Sequence, residues 1–268
     1  MPKYLLDIAY DGSNYSGWQW QDNAPSVQAQ MLRAFAAIDC PGVKVEGASR
    51  TDAGVHAIGQ CAHVLLDRPW VESSLLLALN ANLPDDIAVQ RVRAAPEGFH
   101  ARFHSRGKRY VYRCVVSRVR PAIGRQYFHW VRRSVDVAAM RRAAACLVGQ
   151  HDFAAFTTNP GYPRKRGTVR TLQRVHVIRT ARGFDFTVQG SGFLYNMVRV
   201  LAGSLLEVGN GNRPEGWIAE VLASRDRRQA GATLPPNGLF LLQVLYAPDL
   251  SPAGVDPGLL VADDADAE

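Results

Sequence analysis

Residues 47–57 run Gly47-Ala48-Ser49-Arg50-Thr51-Asp52-Ala53-Gly54-Val55-His56-Ala57. Gly47 and Gly54 bracket a small polar stretch and let its backbone take unusual conformations. Inside it stands one carboxylate, Asp52, two residues from Arg50. A neighbouring guanidinium holds a carboxylate ionised, and charged loops on a strand scaffold are common places for catalysis. The same residue types also build a plain turn with an Asx cap. On its own the loop leaves both readings open.

A second stretch, Phe99–Arg113, interleaves Phe99, Phe103, Tyr110 and Tyr112 with Arg102, Arg106, Lys108, Arg109 and Arg113. Rings for bases and cations for phosphates are the mixture an RNA contact uses. An alternating Tyr strand also suits sheet packing. Arg164, Lys165 and Arg166 fall in a Pro/Gly loop, as phosphate contacts or as a solvated loop. His100 and His104 are four apart and His56 is near Asp52, but there is no H-E-x-x-H pattern and no clear helix under them. No metal site is expected. Cys40, Cys61, Cys114 and Cys146 form no C-x-x-C pair, which leaves zinc-ribbon and dithiol chemistry unsupported. Scattered single cysteines suit a reducing cytoplasm.

The residues that must position these groups fall into two passes of one pattern. Lys3–Tyr10 reads as a strand ended by Asp11-Gly12. Ser26 reads as the N-cap of a helix to Ile38, with Val27, Met31, Ala34, Phe35 and Ile38 on one face. Val43–Ala48 and Gln60–Leu66 read as strands, Glu72–Asn82 as a helix and Ile87–Val92 as a strand. In the second half Lys108–Ser117 reads as a strand and Asp136 caps a helix to Val148. Val169–Arg179 and Phe184–Gln189 read as strands turning at Arg182-Gly183. Leu194–Val208 reads as a helix closed by Gly209, Pro214 opens a short helix, and Phe240–Tyr246 is a last strand. Two β-α-β-β-α-β runs of this kind predict an α+β protein of two ferredoxin-like (RRM-like) units with largely antiparallel sheets. The domains are then 1–105, with the Asp52 loop, and 106–247, followed by a tail, 248–268, that reads as disordered.

Charge follows the same division. The 268 residues carry 31 Lys+Arg and 24 Asp+Glu, a net +7. Residues 1–105 are net −3, residues 106–247 net +16 and residues 248–268 net −6. A basic second half points to a polyanionic partner, although 27 of the basic residues are Arg and base composition alone enriches Arg. No run of eighteen or more apolar residues exists, so no membrane helix is expected. The N-terminus meets Asp7 before any long apolar stretch and does not read as a secretory signal.

Several segments together carry a resemblance. Gly47–Ala57 resembles the catalytic motif of the tRNA pseudouridine synthase A family (TruA). Tyr10-Asp11-Gly12-Ser13-Asn14-Tyr15-Ser16-Gly17-Trp18-Gln19 resembles its N-terminal signature. Phe99-His100-Ala101-Arg102-Phe103 with Lys108-Arg109-Tyr110-Val111-Tyr112 resembles its central one. His151-Asp152-Phe153, Thr168-Val169-Arg170-Thr171, Gly192–Arg199 and Pro236–Leu241 follow in order. Thr157–Pro163 departs from the family, where many members have a Cys-containing stretch.

The resemblance implies the pseudouridine synthase fold, two units joined about a central active-site cleft. It implies isomerisation of uridine to pseudouridine at positions 38, 39 and 40 of the tRNA anticodon stem-loop, without metal or cofactor. Asp52 is then the nucleophile, Arg199 pairs with it, and Tyr110 stacks on the uracil and is a candidate base at C5. Arg50 helps displace the target base, or instead contacts backbone phosphate. Arg102, Arg106, Lys108, Arg109, Arg164, Lys165 and Arg166 are RNA contacts, and the enzyme is a cytoplasmic homodimer. Two other classes compete. A non-catalytic protein with tandem RRM-like units would leave the Asp52 motif unexplained, and this sequence shows no clear RNP1 pattern. A glycoside hydrolase would require a second carboxylate flanking the bond, and none stands out near the motif.

Overall fold

The computed structural model describes residues 1–159 and 167–247. Arg164, Lys165, Arg166 and the acidic tail lie outside the described residues. In chain order the elements are β1 (Lys3–Tyr10), α1 (Val27–Ala37), β2 (Glu46–Gly47), β3 (His56–Leu65), α2 (Glu72–Asn80), β4 (Ile87–Ala94), β5 (Gly107–Val116), β6 (His129–Val131), α3 (Val137–Ala144), β7 (Gly149–Asp152), β8 (Val169–Thr180), β9 (Gly183–Gly190), α4 (Met197–Gly209), α5 (Trp217–Ser224) and β10 (Leu239–Leu245). The chain divides into two compact units, Met1–Arg106 with residues 240–247, and Gly107–Leu239. Residues 240–247, grouped with the second half in the sequence, therefore pack in the first unit. The reason is local: Phe240 and Leu241 pair in parallel with His56 and Ala57, and the Phe240 ring stacks on His56 at 4.6 Å.

In the first unit the strands run β4-β1-β3-β2, all antiparallel, with β10 on β3 beside the start of that strand. This is the order of a split β-α-β arrangement. Ser26 caps α1 by accepting from Ala29 N–H, and Val27, Met31, Ala34 and Phe35 are buried at helical spacing. Val43–Ala48 contributes only the two-residue β2. One acidic residue, Asp7, is buried in β1 among Leu5, Leu6 and Ile8. Arg93 Nη2 donates to both its oxygens at 2.7 and 2.9 Å, and Cys61 Sγ donates to one at 3.2 Å. Burial of a charge is tolerated when its lone pairs are used in this way.

In the second unit β5-β9-β8-β7 form an antiparallel run, with β6 parallel to the end of β5. Asp136 caps α3 through Ala139 N–H at 2.9 Å, and the helix gives way to a 3-10 turn at Ala145–Leu147. The helix expected from Leu194 begins at Met197, because Asn196 has φ 58° and interrupts the helical backbone. Tyr110 and Tyr112 face Val188 and Phe186 across the β5–β9 ladder, while Arg109 and Arg113 face Gln189 and Asp185 from the other side of the strand.

Asp185 is buried and Arg113 Nε lies 3.8 Å from its carboxylate. Burial pushes the Asp185 carboxyl up to about 6, against the opposing pull of Arg113, and burial also lowers Arg113. Desolvation outweighs this long ion contact. The native state thus holds a proton that the unfolded chain releases near its ordinary carboxyl range, so stability falls as pH rises from about 4 to about 6 and then levels. Asp185→Asn keeps the neutral shape and removes that slope. Urea unfolding between pH 4 and 8 should show the variant gaining on wild type by on the order of 2–3 kcal/mol through that window. A difference independent of pH would refute it.

Candidate active site

The Asp52 loop enters directly from the start of β3, and its conformation is set by residues 10–18. Tyr10, at the end of β1, lies opposite Ala57 after an irregularity in the register. This brings the Tyr10 hydroxyl within 2.8 Å of Thr51 Oγ1. Thr51 O accepts from Trp18 N–H at 3.2 Å, and Tyr15 O accepts from Gly54 N–H at 3.1 Å. Asp52 is therefore flanked on both sides by residues tied to one turn, and it closes its own turn by accepting Val55 N–H at 3.1 Å.

The approach is close enough to exclude side chains. A Cβ on Gly12 would lie 2.1 Å from Val55 O, and one on Gly17 would lie 2.2 Å from Thr51 O. Gly17 also has φ +94°, a conformation that L side chains rarely adopt. Behind the loop the fully buried Gln60 grips Ser49 with both halves of its amide, accepting Ser49 N–H at 3.2 Å and donating to Ser49 O at 2.7 Å. Gly12 N–H donates to His56 Nδ1 at 3.0 Å. The result is a half-buried Asp52 beside an exposed Arg50 on a backbone with little freedom. Gln60 and the clamp by Trp18 were not read from the sequence. The one available signal was a glutamine placed where β3 points inward.

The second unit positions its own group. Arg199 lies in the first turn of α4. Its Nε donates to Leu234 O at 2.6 Å and its Nη1 to Asn196 Oδ1 at 2.7 Å, so the guanidinium plane is fixed. The Tyr112 hydroxyl donates to Pro235 O at 2.8 Å, and burial holds this phenol well above its usual range. Ser204 accepts Gly231 N–H at 2.9 Å. Residues 231–235 are thereby bound to α4 at several points. Tyr110 is buried on β5, its ring edge-on to Phe193 at 5.1 Å.

The other expected RNA contacts are spread out. Lys108 shares the Tyr110 side of β5, whereas Arg109 is on the opposite side and bonds Gln189 at 2.9 Å. Arg102 and Arg106 are exposed. Arg102 belongs to the 99–104 turn, which is fixed at His63 because Ala101 N–H donates to His63 Nδ1 and Tyr246 donates to Ala101 O. His63 is seven residues along β3 from His56, about 23 Å at strand spacing, so this turn lies far from Asp52.

Glu46, His63 and His100 bring their ligand-type atoms within 4.8 Å of one another. This trio differs from the histidines singled out by spacing. His100 Nδ1 accepts Arg102 N–H at 3.1 Å, which leaves the proton on Nε2, 2.9 Å from Glu46 Oε2. His63 Nδ1 likewise accepts a backbone N–H. Metal-bound histidines show the reverse, donating from the nitrogen that does not bind. The trio as arranged is a hydrogen-bonded latch for the turn.

Residues 8–104 and 143–247 match the family model described as tRNA pseudouridine synthase. The chain belongs to that family. A tRNA pseudouridine synthase A of Ruminiclostridium cellulolyticum is 42% identical over 92% of this chain and 100% of its own length. One of Myxococcus xanthus is 44% identical over 92% of each. One of Agrobacterium fabrum is 37% identical over 99% of this chain and 100% of its own. Members of the family are enzymes that isomerise uridine to pseudouridine in tRNA. Asp52 and Arg199 fall inside the matched stretches, while Tyr110 lies between them.

Because Gly17 packs against backbone, Gly17→Ala must move Thr51 and with it Asp52. A displacement of about 1 Å at a reacting group costs on the order of 100-fold. Single-turnover kinetics should show a loss of that size, with tRNA affinity changed by less than about threefold. An unchanged chemical rate would show that the clamp does not govern Asp52.

Proposed function

We propose that the chain converts uridine to pseudouridine at positions 38, 39 and 40 of the tRNA anticodon stem-loop, as a cytoplasmic homodimer. Asp52 acts as nucleophile in the reaction at C1′ of the target nucleotide, through a covalent ester or by driving a glycal route. The N1–C1′ bond breaks, the uracil turns and C5 joins C1′, which releases Asp52 if an ester has formed; one proton is lost from C5 and one is gained at N1. Arg199 keeps Asp52 ionised and oriented, since a guanidinium stays charged and fits a carboxylate with two hydrogen bonds. Tyr110 stacks on the uracil and is the candidate acceptor of the C5 proton. Arg50 helps draw the base from its stack. Arg102, Arg106, Lys108, Arg109, Arg164, Lys165 and Arg166 serve the RNA backbone.

The observation that supports this reading most is the fixing of Asp52 from both sides by Thr51 and Gly54. A plain surface turn has no use for two backbone approaches that exclude a Cβ. A binding module without catalysis would leave that rigidity without purpose. No helix among the described residues is long and apolar enough to cross a membrane.

Pseudouridine mapping of tRNA from cells in which Asp52→Ala replaces the native protein tests the assignment. All three positions should revert to uridine while tRNA binding by the purified variant persists. Retained pseudouridine at all three would defeat the proposal. Arg50→Ala should remain active on a stem-loop whose target is already unstacked and lose activity on a paired one. Equal loss on both would assign Arg50 to phosphate contact instead.

A further inference from the structure

Between β5 and α3 the second unit carries an excursion, residues 117–133, with the sequence Ser-Arg-Val-Arg-Pro-Ala-Ile-Gly-Arg-Gln-Tyr-Phe-His-Trp-Val-Arg-Arg. Arg118, Arg120, Arg125, Arg132 and Arg133 are all exposed, and the segment contains no Asp or Glu. None of the five makes an ion pair among the described residues. The excursion also exposes apolar surface, Val119 at 78% and Ile123 at 89%.

This is a built loop. Its return strand, β6, pairs with Cys114, Val115 and Val116. Trp130 Nε1 donates to Ser117 O at 2.9 Å, and Ser117 Oγ donates to Val119 O at 2.7 Å. Asn237 Nδ2 donates to Arg125 O and Phe128 O at 2.8 and 2.5 Å. Gly124, with φ 72°, turns the chain at the tip. The backbone that carries the arginines is thus tied down at several points, and the excursion itself supplies five like charges and no acid.

We infer that residues 117–133 form a second tRNA contact that grips sugar–phosphate backbone away from the reacting uridine. The inference rests on tRNA being the substrate, and is independent of which uridine reacts. Three observations favour RNA over a second copy of this chain. Five unneutralised guanidinium groups suit a polyanion and would repel an identical loop. The exposed aliphatic tip suits the shallow minor groove of A-form RNA, where sugars offer apolar faces between phosphates. The loop starts at the end of β5, six residues and about 20 Å beyond Tyr110. It therefore meets RNA that is remote from the base stacked at Tyr110.

The test uses the full-length protein with Arg118→Gln, Arg120→Gln and Arg125→Gln combined, and Arg120→Gln alone, on intact tRNA. The combined variant should raise KM by tenfold or more and leave kcat within twofold. It should also reduce the slope of log affinity against log salt by about 2–3, near 1 for each arginine that meets a phosphate. The single variant should lower the slope by about 1. Unchanged KM and slope in both variants would overturn the inference. A fall in kcat with no change in slope would overturn it too, because it would place the arginines in the chemistry. Sedimentation of RNA-free protein supplies the other arm: Ile123→Ser or the combined variant changing the oligomeric state would assign the surface to protein contact.

Discussion

The Asp52 loop is held by backbone pressed on backbone. Gly12 meets Val55 O and Gly17 meets Thr51 O with no room for a Cβ at either point. Several other contacts of the first unit support that approach. The irregularity between Ile8 and Tyr10 brings the Tyr10 hydroxyl to Thr51. Trp18 is 1% exposed and lies against Gly47, where a Cβ would be 2.3 Å from the indole nitrogen. Gln60 closes the rear of the loop at Ser49. Each hydrogen bond is worth about 1 kcal/mol on its own, but together they restrict the backbone on both sides of Asp52. In the nucleophilic role proposed for Asp52 that preorganisation raises the rate, because less ordering is needed at the moment of reaction.

Arg199 is fixed by different means. The interruption at Asn196, with φ 58°, is a costly conformation for a non-glycine residue, though Asn tolerates it better than most. Its side chain offsets that cost, accepting from Arg199 and donating to Thr158 Oγ1 at 2.8 Å. Thr157 meanwhile donates to Tyr195 O at 2.9 Å. The break therefore does two things: it starts α4 with Arg199 in the first turn, and it supplies the acceptor that orients the guanidinium. The other anchor, Leu234 O, comes from a segment that Ser204 and Tyr112 hold in place. A lysine at this position could not satisfy Leu234 O and Asn196 Oδ1 in the same plane.

Elements with a strong period were legible in the sequence. Ser26 and the spacing of Val27, Met31, Ala34 and Phe35 gave α1 and its buried face, and Tyr110 and Tyr112 alternated as strand residues do. The short β6 and β7, of three and four residues, have too few to show a period, and β2 keeps only two residues of the longer strand expected over Val43–Ala48. Leu194–Asn196 was counted as helix because its composition is helical, whereas the left-handed Asn196 is imposed by tertiary contacts. Asp52 and Arg199 were legible as types in motifs. The reason for Gly12, Gly17 and Trp18 was not, because it is a contact between segments about thirty to forty residues apart. Histidine spacing also misled attention: His100 interacts with Glu46 and His63, both distant in sequence, while His104 at i+4 helps close the turn.

The acidic residues of the second unit explain why its basic excess reaches the surface. Residues 106–247 hold seven: Asp136, Asp152, Asp185, Glu207, Glu215, Glu220 and Asp226. Asp136 is spent on the cap of α3 and Asp152 on Ala154 N–H and the Thr168 hydroxyl. Asp185 faces Arg113 in the interior and Glu207 bonds Asn212. Glu215 binds Arg142 and Asp226 binds Arg228. These commitments are to caps, turns and named arginines, none of them in residues 117–133. With no acid among residues 117–133, the five arginines of that excursion are not offset within it, as the proposed RNA contact requires. In the proposed function, chemistry and affinity are built on separate principles. The role proposed for Asp52 depends on contact at ångström precision, and the proposed arginine contact depends on a segment without acids of its own.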